Sequence, residues 1–210
     1  MHTSAMNNGR DFFLTYAPDF YSKNNVKVVD IGSQNINGSL RKFSPSNFDY
    51  IGVDFCAGKD VDIILEDPYL LPFKNESVDI VVSTSCFEHS EMFWLTFLEI
   101  LRILKPDGLF YLNAPSKGPV HEYPVDCWRF YPGSGQALLK WAEKNFYSIE
   151  ILESFTDASE LWEDYVCIFI KEKSNAYAKK KRILHFKKDF YNGKILGQQN
   201  TLNPKTINNI

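Results

Sequence analysis

What the sequence lacks excludes several classes of protein. Its 210 residues contain no run of 18 or more apolar residues, so we expect no transmembrane helix. Residues 1–8 are polar and lack the apolar segment of a secretory signal, so we expect a cytoplasmic protein. The four cysteines lie 30 to 41 residues apart without a C-x-x-C pair, which predicts reduced thiols and no metal site.

The composition is that of a folded domain. Hydrophobic residues make up 44% of the chain and charged residues 23%, and both values are ordinary for a globular protein. A chain of this length buries about 70% of the surface that its unfolded form exposes, so it needs neither disulfides nor metal to fold. A disordered chain, a collagen-like fibre and a small disulfide-bonded scaffold are therefore excluded.

Charge is distributed unevenly along the chain. Residues 171–210 contain ten Lys or Arg and two Asp or Glu, whereas residues 1–170 contain 13 basic and 24 acidic residues. An acidic body argues against a nucleic-acid-binding protein, because phosphate contacts need a basic face. We therefore predict a domain at 1–173 and a basic, polar tail at 174–210. The tail has too few apolar residues for a second core, and we expect a solvated end that carries at most a helix at 179–190.

Strand-like and helix-like segments alternate along the chain, which is typical of an α/β sheet. Apolar runs predict buried parallel strands at 26–31, 50–54, 61–65, 78–83 and 109–112. Helices are predicted at 93–104 and 134–144, and two closing strands at 147–153 and 165–171. We expect a Rossmann-like, seven-stranded, mostly parallel sheet with an antiparallel last strand and helices on both faces. An N-terminal helix at 8–23 would pack over the sheet or form a lid on a site.

Side chains suited to a nucleoside follow the first three predicted strands, at the edge where open parallel sheets bind ligands. Gly32 and Gly38 permit a close backbone approach, although their loop lacks the G-x-G-x-x-G pattern that holds a dinucleotide. Asp54 ends the second strand, 22 residues after Gly32, where a carboxylate suits two ribose hydroxyls. Asp67, after the third strand, suits an adenine amino group. Ordinary turns and a turn-capping aspartate are the alternatives at these positions.

Two histidines follow the next two strands. His89 lies just before a predicted helix, where a histidine also serves as a structural cap. His121 opens the segment 121–132, which is the densest cluster of functional side chains in the chain. That segment is either an acceptor pocket with His121 as a base or an aromatic loop held by an Asp126–Arg129 pair.

The order of these motifs resembles that of class I S-adenosylmethionine-dependent methyltransferases over about residues 10–172. The motifs are D-x-G at 30–32, G-V-D at 52–54, D-x-x-x-L-P-F at 67–73, S-V-D-I-V-V at 77–82 with Glu88 and His89, and L-K-P-D-G at 104–108. The first loop departs from the commoner G-x-G-x-G pattern, since Ser33, Gln34 and Asn35 replace its small residues. N-G-S-x-R at 37–41 and the segment 121–132 are similar to a type 11-like subgroup that tailors surface glycans.

The resemblance implies S-adenosylmethionine as the cofactor and a small polar molecule as the acceptor. The implied cofactor-binding residues are Asp30, Gly32, Ser33, Gln34, Gly38, Asp54, Phe55, Asp67, Pro68, Tyr69 and Ser85. The implied acceptor-binding residues are Glu88, Tyr123, Asp126, Trp128 and Arg129, and the candidate catalytic bases are His121 and His89. The implied reaction is O-methylation of a sugar, sugar nucleotide or phosphate-linked precursor in capsule or lipopolysaccharide synthesis. We expect a monomer or homodimer that contacts neither nucleic acid nor the membrane interior.

Three rival functions differ in features that the sequence displays. An NAD-dependent oxidoreductase is disfavoured by the missing G-x-G-x-x-G pattern and by the L-P-F and Glu-His motifs. A non-catalytic scaffold with the same fold stays open because the first loop is altered. A nucleic-acid methyltransferase would need a basic face beside the site, whereas the basic residues lie mostly in the tail.

Overall fold

One mixed sheet with helices on both faces organises the chain. Residues 2–159, 161–171 and 180–205, which the computed structural model describes, contain eight strands. The strands are β1 (Lys27–Ile31), β2 (Asp49–Asp54), β3 (Ile63–Ile64), β4 (Val78–Thr84), β5 (Leu104–Ala114), β6 (Ile149–Asp157), β7 (Tyr165–Lys171) and β8 (Phe190–Ile195). The helices are α1 (Thr3–Tyr16), α2 (Phe93–Ile103) and α3 (Ser134–Lys144), and short 3-10 turns cover Ala17–Phe20, Leu40–Phe43 and Ile183–His185.

The strand order is β3-β2-β1-β4-β5-β7-β6-β8. The first five strands pair in parallel, whereas β7, β6 and β8 add three antiparallel pairs at one side. This arrangement confirms the predicted Rossmann-like fold class, but the prediction of seven strands was wrong, since the sheet has eight. The order reverses between β1 and β4, so the ligand crevice should lie beyond the carboxyl ends of these two strands.

Alternation along the strands divides the core into two apolar layers. In β4 every residue is buried, and Ile80 packs into a different layer from Val81 because successive side chains of a strand point to opposite faces. One layer contains α1, the other α2 and α3. None of the helices in the described residues has the length and apolarity that a membrane crossing requires.

The N-terminal helix packs on the sheet. It covers Thr3–Tyr16 rather than 8–23, and Ala17–Phe20 continues it as a 3-10 turn. Phe12 contacts Tyr111 of β5 with ring centroids 4.7 Å apart. The helix therefore takes the first of its two predicted roles, while His2, just ahead of it, reaches the cavity described below.

The C-terminal segment 180–205 adds to the sheet instead of extending into solvent, which corrects the prediction for this part of the tail. Ile183 and Leu184 are buried, and their backbone N–H groups donate to the buried Glu153 carboxylate at 2.8 and 3.0 Å. β8 pairs with β6, whose edge would otherwise be open. A few apolar residues are enough to fix this segment, because they pack into the core that the rest of the domain has already formed. Only a 3-10 turn, Ile183–His185, forms in the described part of the predicted helix 179–190, and the boundary between 173 and 174 lies outside the described residues.

Candidate active site

A cavity of about 590 Å³ lies at the predicted edge of the sheet, a volume typical of small-molecule sites. Its walls are the segments that follow β1 to β5, together with His2 and Trp162. We call Gly32, Gln34, Asp54, Tyr69 and Ser85 the cofactor wall. We call Glu88, His89, His121, Tyr123 and Trp162 the acceptor wall.

Gly32 brings the loop after β1 against the loop after β4. Its φ angle is +78°, and a Cβ atom at this position would lie 2.5 Å from Sγ of Cys86. Only glycine combines this backbone conformation with so close an approach. Gly38 also has a positive φ angle, but the space around it is taken by Met6 of α1, so Gly38 supports the helix and does not line the cavity.

Asp54 presents an oriented carboxylate at the end of β2. It is 7% exposed, and its two oxygens accept hydrogen bonds from the backbone N–H groups of Gln34 (3.0 Å) and Cys56 (3.2 Å). Phe55 and Tyr69 line the cavity beside it. A fixed carboxylate next to aromatic surface suits the ribose and base of a nucleoside.

Asp67 and Pro68 differ in their access to the cavity. The Asp67 carboxylate accepts a hydrogen bond from the backbone N–H of Tyr69 at 2.8 Å and does not line the cavity, whereas Pro68 does. The surface-turn alternative describes the geometry of Asp67.

Two predicted polar residues lie behind the wall. Asp30 at the end of β1 accepts a hydrogen bond from the Tyr50 hydroxyl at 2.7 Å, and burial raises the pKa of Asp30 to about 7 against the lowering effect of that bond. Ser33 is buried, and its Oγ has no hydrogen-bond partner. Neither residue lines the cavity.

Ser85 lies on the cavity with a free hydroxyl. Its Oγ is buried without a hydrogen-bond partner, and its φ angle of 51° is uncommon for a residue other than glycine. Left-handed backbone of this kind concentrates at binding sites, where the surrounding structure maintains it. On the cofactor wall, Gly32 thus exposes backbone groups to a ligand, and Ser85 provides a hydroxyl without a partner.

His89 is oriented by a backbone carbonyl. Its Nδ1 lies 2.5 Å from the oxygen of Val125, and since a carbonyl oxygen only accepts, Nδ1 carries the proton and Nε2 the lone pair. Burial, the largest effect, lowers the pKa of His89, while the bond to Val125 raises it. His89 is therefore a neutral imidazole near pH 7 with Nε2 available as a base.

His121 lies beside His89 on the acceptor wall. The two rings have centroids 4.9 Å apart, and the ring of Trp162 is 4.7 Å from that of His121. The backbone N–H of His121 donates to Asp126 at 2.8 Å, and its Nδ1 lies 3.2 Å from the same carboxylate oxygen. The fold therefore brings the two predicted bases together.

Glu88 is a buried carboxylate on the same wall. It is 1% exposed, and neither carboxylate oxygen accepts a hydrogen bond from another residue. Burial raises the pKa of Glu88 to about 8, and the charge of Arg129 acts in the opposite direction. Oε1 lies 3.8 Å from Nε2 of His89.

Asp126, Trp128 and Arg129 hold the acceptor wall from behind. The Arg129 guanidinium makes two bonds to the Asp126 carboxylate, of 2.5 and 2.8 Å, and holds the pKa of Asp126 far below its usual range. Trp128 donates from Nε1 to the carbonyl of Ser90 at 3.0 Å. None of the three lines the cavity. The geometry is therefore that of the second alternative, a loop held by the Asp126–Arg129 pair. Of the residues predicted to bind the acceptor, Glu88 and Tyr123 line it.

Sequence reasoning missed His2 and Trp162. The two rings stack with centroids 5.3 Å apart, and the carbonyl of Trp162 accepts from the backbone N–H groups of Ser116 and Lys117, both at 3.1 Å. His2 precedes the first helix, and Trp162 lies in the acidic connection before β7. Neither belongs to a motif, so no local signal marked them.

Known proteins share the family and the fold. A family model described as a methyltransferase domain matches residues 8–112. A SAM-dependent methyltransferase from Archaeoglobus fulgidus is 19% identical with a TM-score of 0.54, over 79% of this chain and 94% of that chain. The Burkholderia thailandensis 1,6-didemethyltoxoflavin-N1-methyltransferase, with bound 1,6-didemethyltoxoflavin and S-adenosylhomocysteine, is 13% identical with a TM-score of 0.56, over 81% and 79%.

A third similar structure comes from the complex between the Haloferax volcanii Trm112 methyltransferase activator and a methyltransferase. It is 19% identical with a TM-score of 0.52, over 80% of this chain and 94% of that chain. No curated protein matches the chain at a significant level. At identities of 13–19% these structures establish only the fold, which is the Rossmann-like methyltransferase fold. The family model covers half of the chain, and the chain therefore belongs to the methyltransferase family and is an enzyme of that kind.

Proposed function

We propose that the protein transfers a methyl group from S-adenosylmethionine to a hydroxyl oxygen of a small polar acceptor. The supporting observation is that one cavity has the oriented Asp54 carboxylate on one wall and the free Nε2 of His89 on the other. The acceptor is a sugar, or the sugar part of a sugar nucleotide or phosphate-linked precursor, in surface polysaccharide synthesis. This last assignment rests on the resemblance of residues 37–41 and 121–132 to glycan-tailoring enzymes.

The cofactor wall fits the chemical groups of S-adenosylmethionine. Asp54 would accept hydrogen bonds from the ribose hydroxyls, with Tyr69 beside the base and Ser85 toward the amino-acid end. The close approach at Gly32 leaves backbone groups accessible to the ligand. When bound, the cofactor supplies a methyl group on positively charged sulfur. The acidic side chains of Asp54, Glu91 and Glu122 line the cavity and favour the positive charge on the sulfur.

In this proposal His89 accepts the proton of the acceptor hydroxyl. Its neutral form, held by Val125, presents the Nε2 lone pair to the cavity. General-base catalysis of this kind contributes about 10²- to 10⁴-fold to a rate. The larger share of the acceleration should come from alignment of the hydroxyl, the methyl carbon and the sulfur.

The charge of the cavity favours a neutral acceptor group. Among the described residues, no lysine or arginine lines the cavity, while Glu91 and Glu122 do. The Arg129 guanidinium is already paired with Asp126 and bonded to the carbonyl of Pro119 at 3.0 Å. A phosphate group would thus lie outside the cavity, with only the sugar between Tyr123 and Trp162.

The test is a transfer assay with methyl-labelled S-adenosylmethionine and a panel of free sugars, sugar nucleotides and nucleic acids. We expect labelled product from a sugar hydroxyl and none from nucleic acid. His89→Ala should lower kcat by about 100-fold or more without changing the KM for the cofactor. His185→Ala, an imidazole outside the cavity, is the control. A protein that binds S-adenosylhomocysteine but turns over no acceptor would support the scaffold alternative instead.

A further inference from the structure

We propose that Glu88, His89 and His121 form a binding site for one divalent first-row transition-metal ion on the acceptor wall. Each residue offers one ligand atom, and these atoms all lie within 4.8 Å of one another. Two imidazoles and one carboxylate are a ligand set that both zinc and non-haem iron use in enzymes, with further positions open to water or substrate. The sequence did not predict it because 32 residues separate His89 from His121.

The distances suit a metal ion with little rearrangement. Metal–nitrogen and metal–oxygen bonds of about 2.0–2.2 Å place two ligand atoms at most about 4.4 Å apart. Oε1 of Glu88 and Nε2 of His89 are already 3.8 Å apart. A small rotation of the His121 side chain, whose ring lies at 82° to that of His89, would complete the set.

The Glu88 carboxylate lacks the partners that a buried carboxylate normally has. It is 1% exposed, and neither oxygen is hydrogen-bonded to another residue. The nearest strong cation, Arg129, directs its guanidinium to Asp126. Buried carboxylates are as a rule paired, hydrogen-bonded or bound to metal, and a metal ion would supply the missing partner.

Both histidines are held in the manner of metal ligands. Metal-binding imidazoles usually donate their other N–H to a carbonyl or carboxylate, which fixes the ring. Nδ1 of His89 bonds to the Val125 carbonyl at 2.5 Å. Nδ1 of His121 lies 3.2 Å from the Asp126 carboxylate, which Arg129 holds in place. The Asp126–Arg129 ion pair thereby positions His121.

The two remaining histidines of the chain differ from this pair. His2 uses both nitrogens in contacts, since Nδ1 lies 2.8 Å from Oγ of Ser4 and Nε2 lies 3.4 Å from Asp164. Nδ1 of His185 accepts a hydrogen bond from the backbone N–H of Arg182 at 3.1 Å, far from the cavity lining. His185 therefore serves as a control imidazole.

The role of the ion rests on the proposed function, although its binding does not. An open coordination position would bind the acceptor hydroxyl, lower its pKa and release its proton to water. The resulting alkoxide oxygen then forms a bond to the methyl carbon while the carbon–sulfur bond breaks with its electron pair on sulfur. His89 would act as a ligand in this scheme, in place of a base.

Titration of the tag-free, chelator-treated protein with cobalt(II) chloride tests the site. The visible absorption of bound Co²⁺ should saturate at one equivalent. Glu88→Gln and His121→Ala should each weaken binding by about 100-fold or more, and Asp126→Asn by about 10- to 100-fold. His185→Ala should bind as the unaltered protein does. Thermal melting verifies that each variant is folded.

Two outcomes would overturn the inference: no Co²⁺ binding at millimolar concentration, or equal binding by the unaltered protein, Glu88→Gln and His121→Ala. A parallel titration with S-adenosylhomocysteine separates the two proposals. If the product analogue binds and Co²⁺ does not, the metal site is wrong and the methyl-transfer function stands. If Co²⁺ binds with the stated residue dependence and the product analogue does not, the metal site stands alone.

Discussion

The two walls of the cavity are held in place by different means. The cofactor wall consists of residues that follow β1 to β4 closely in sequence, and backbone N–H groups fix its central carboxylate, Asp54. The acceptor wall combines the connections after β4 and β5 with Trp162, which precedes β7, and the Asp126–Arg129 pair and the Trp162 carbonyl hold it together. The end of β2 thus positions the Asp54 carboxylate almost directly, whereas the acceptor wall depends on contacts within and between loops. Arg129→Ala and Asp54→Ala should each affect one wall and spare the other.

Gly32→Ala should have the largest effect, because it forces the first loop away from the loop after β4. The positive φ angle and the 2.5 Å approach to Cys86 together should lower the free energy of unfolding by about 3 kcal/mol. Urea denaturation measures this loss. The control is Gly133→Ala, where no atom lies within 4 Å of the added carbon. Equal stability of the two variants would contradict a close contact between the loops after β1 and β4.

Arg129→Ala should damage the acceptor wall and leave the cofactor wall intact. Loss of the guanidinium releases Asp126 and with it the support of His121. A displacement of about 1 Å at reacting groups costs about 100-fold in rate, so we expect kcat/KM for the acceptor to fall by about that factor. The affinity for S-adenosylhomocysteine should not change. A parallel loss of that affinity would mean that the walls are not independent.

Asp30→Asn tests the buried carboxylate behind the cofactor wall, because it should change how the free energy of unfolding depends on pH. Burial raises the pKa of Asp30 to about 7, above the value of about 3.9 for an unfolded aspartate. Its contribution to stability is therefore complete below about pH 4 and is lost as the pH rises to about 7.

The variant should match the unaltered protein in unfolding free energy at pH 4 and exceed it by about 4 kcal/mol at pH 8. Denaturation at both pH values tests this, with the exposed Asp49→Asn as control. A pH-independent difference would refute the proposed titration of Asp30.

Tyr123→Phe should have the smallest effect, because Tyr123 joins the two walls by one exposed hydrogen bond. Its hydroxyl donates to Oε1 of Gln34 at 3.1 Å. Loss of such a bond costs about 0.5–1.5 kcal/mol, which should appear as a few-fold higher KM for the acceptor. Steady-state kinetics with the acceptor measures it. A loss above about 100-fold would assign Tyr123 a larger part in acceptor binding.

Local patterns in the sequence predicted only part of the lining of the cavity. Of the residues expected at the cofactor, Asp30, Ser33, Gly38 and Asp67 do not line it. The apolar runs of β1, β2 and β4 and the turn residues Gly32 and Asp54 are contiguous signals, and the sheet brings their ends together. Segment 121–132 could not be assigned in the same way, because its residues divide between the cavity and the Asp126–Arg129 pair according to contacts with Glu88 and His89. β8 was missed because its few apolar residues lie in a basic segment and gain their burial from Glu153 and β6, far away in the sequence.

Binding of S-adenosylhomocysteine to three variants tests the separation of the two walls most directly. Calorimetric titration should show that Glu88→Gln and Asp67→Ala bind as the unaltered protein does. Asp54→Ala should bind about 10- to 100-fold more weakly, since it loses charge-assisted hydrogen bonds to the ligand. The account would be contradicted if Asp54→Ala bound normally, or if Glu88→Gln lost as much affinity as Asp54→Ala.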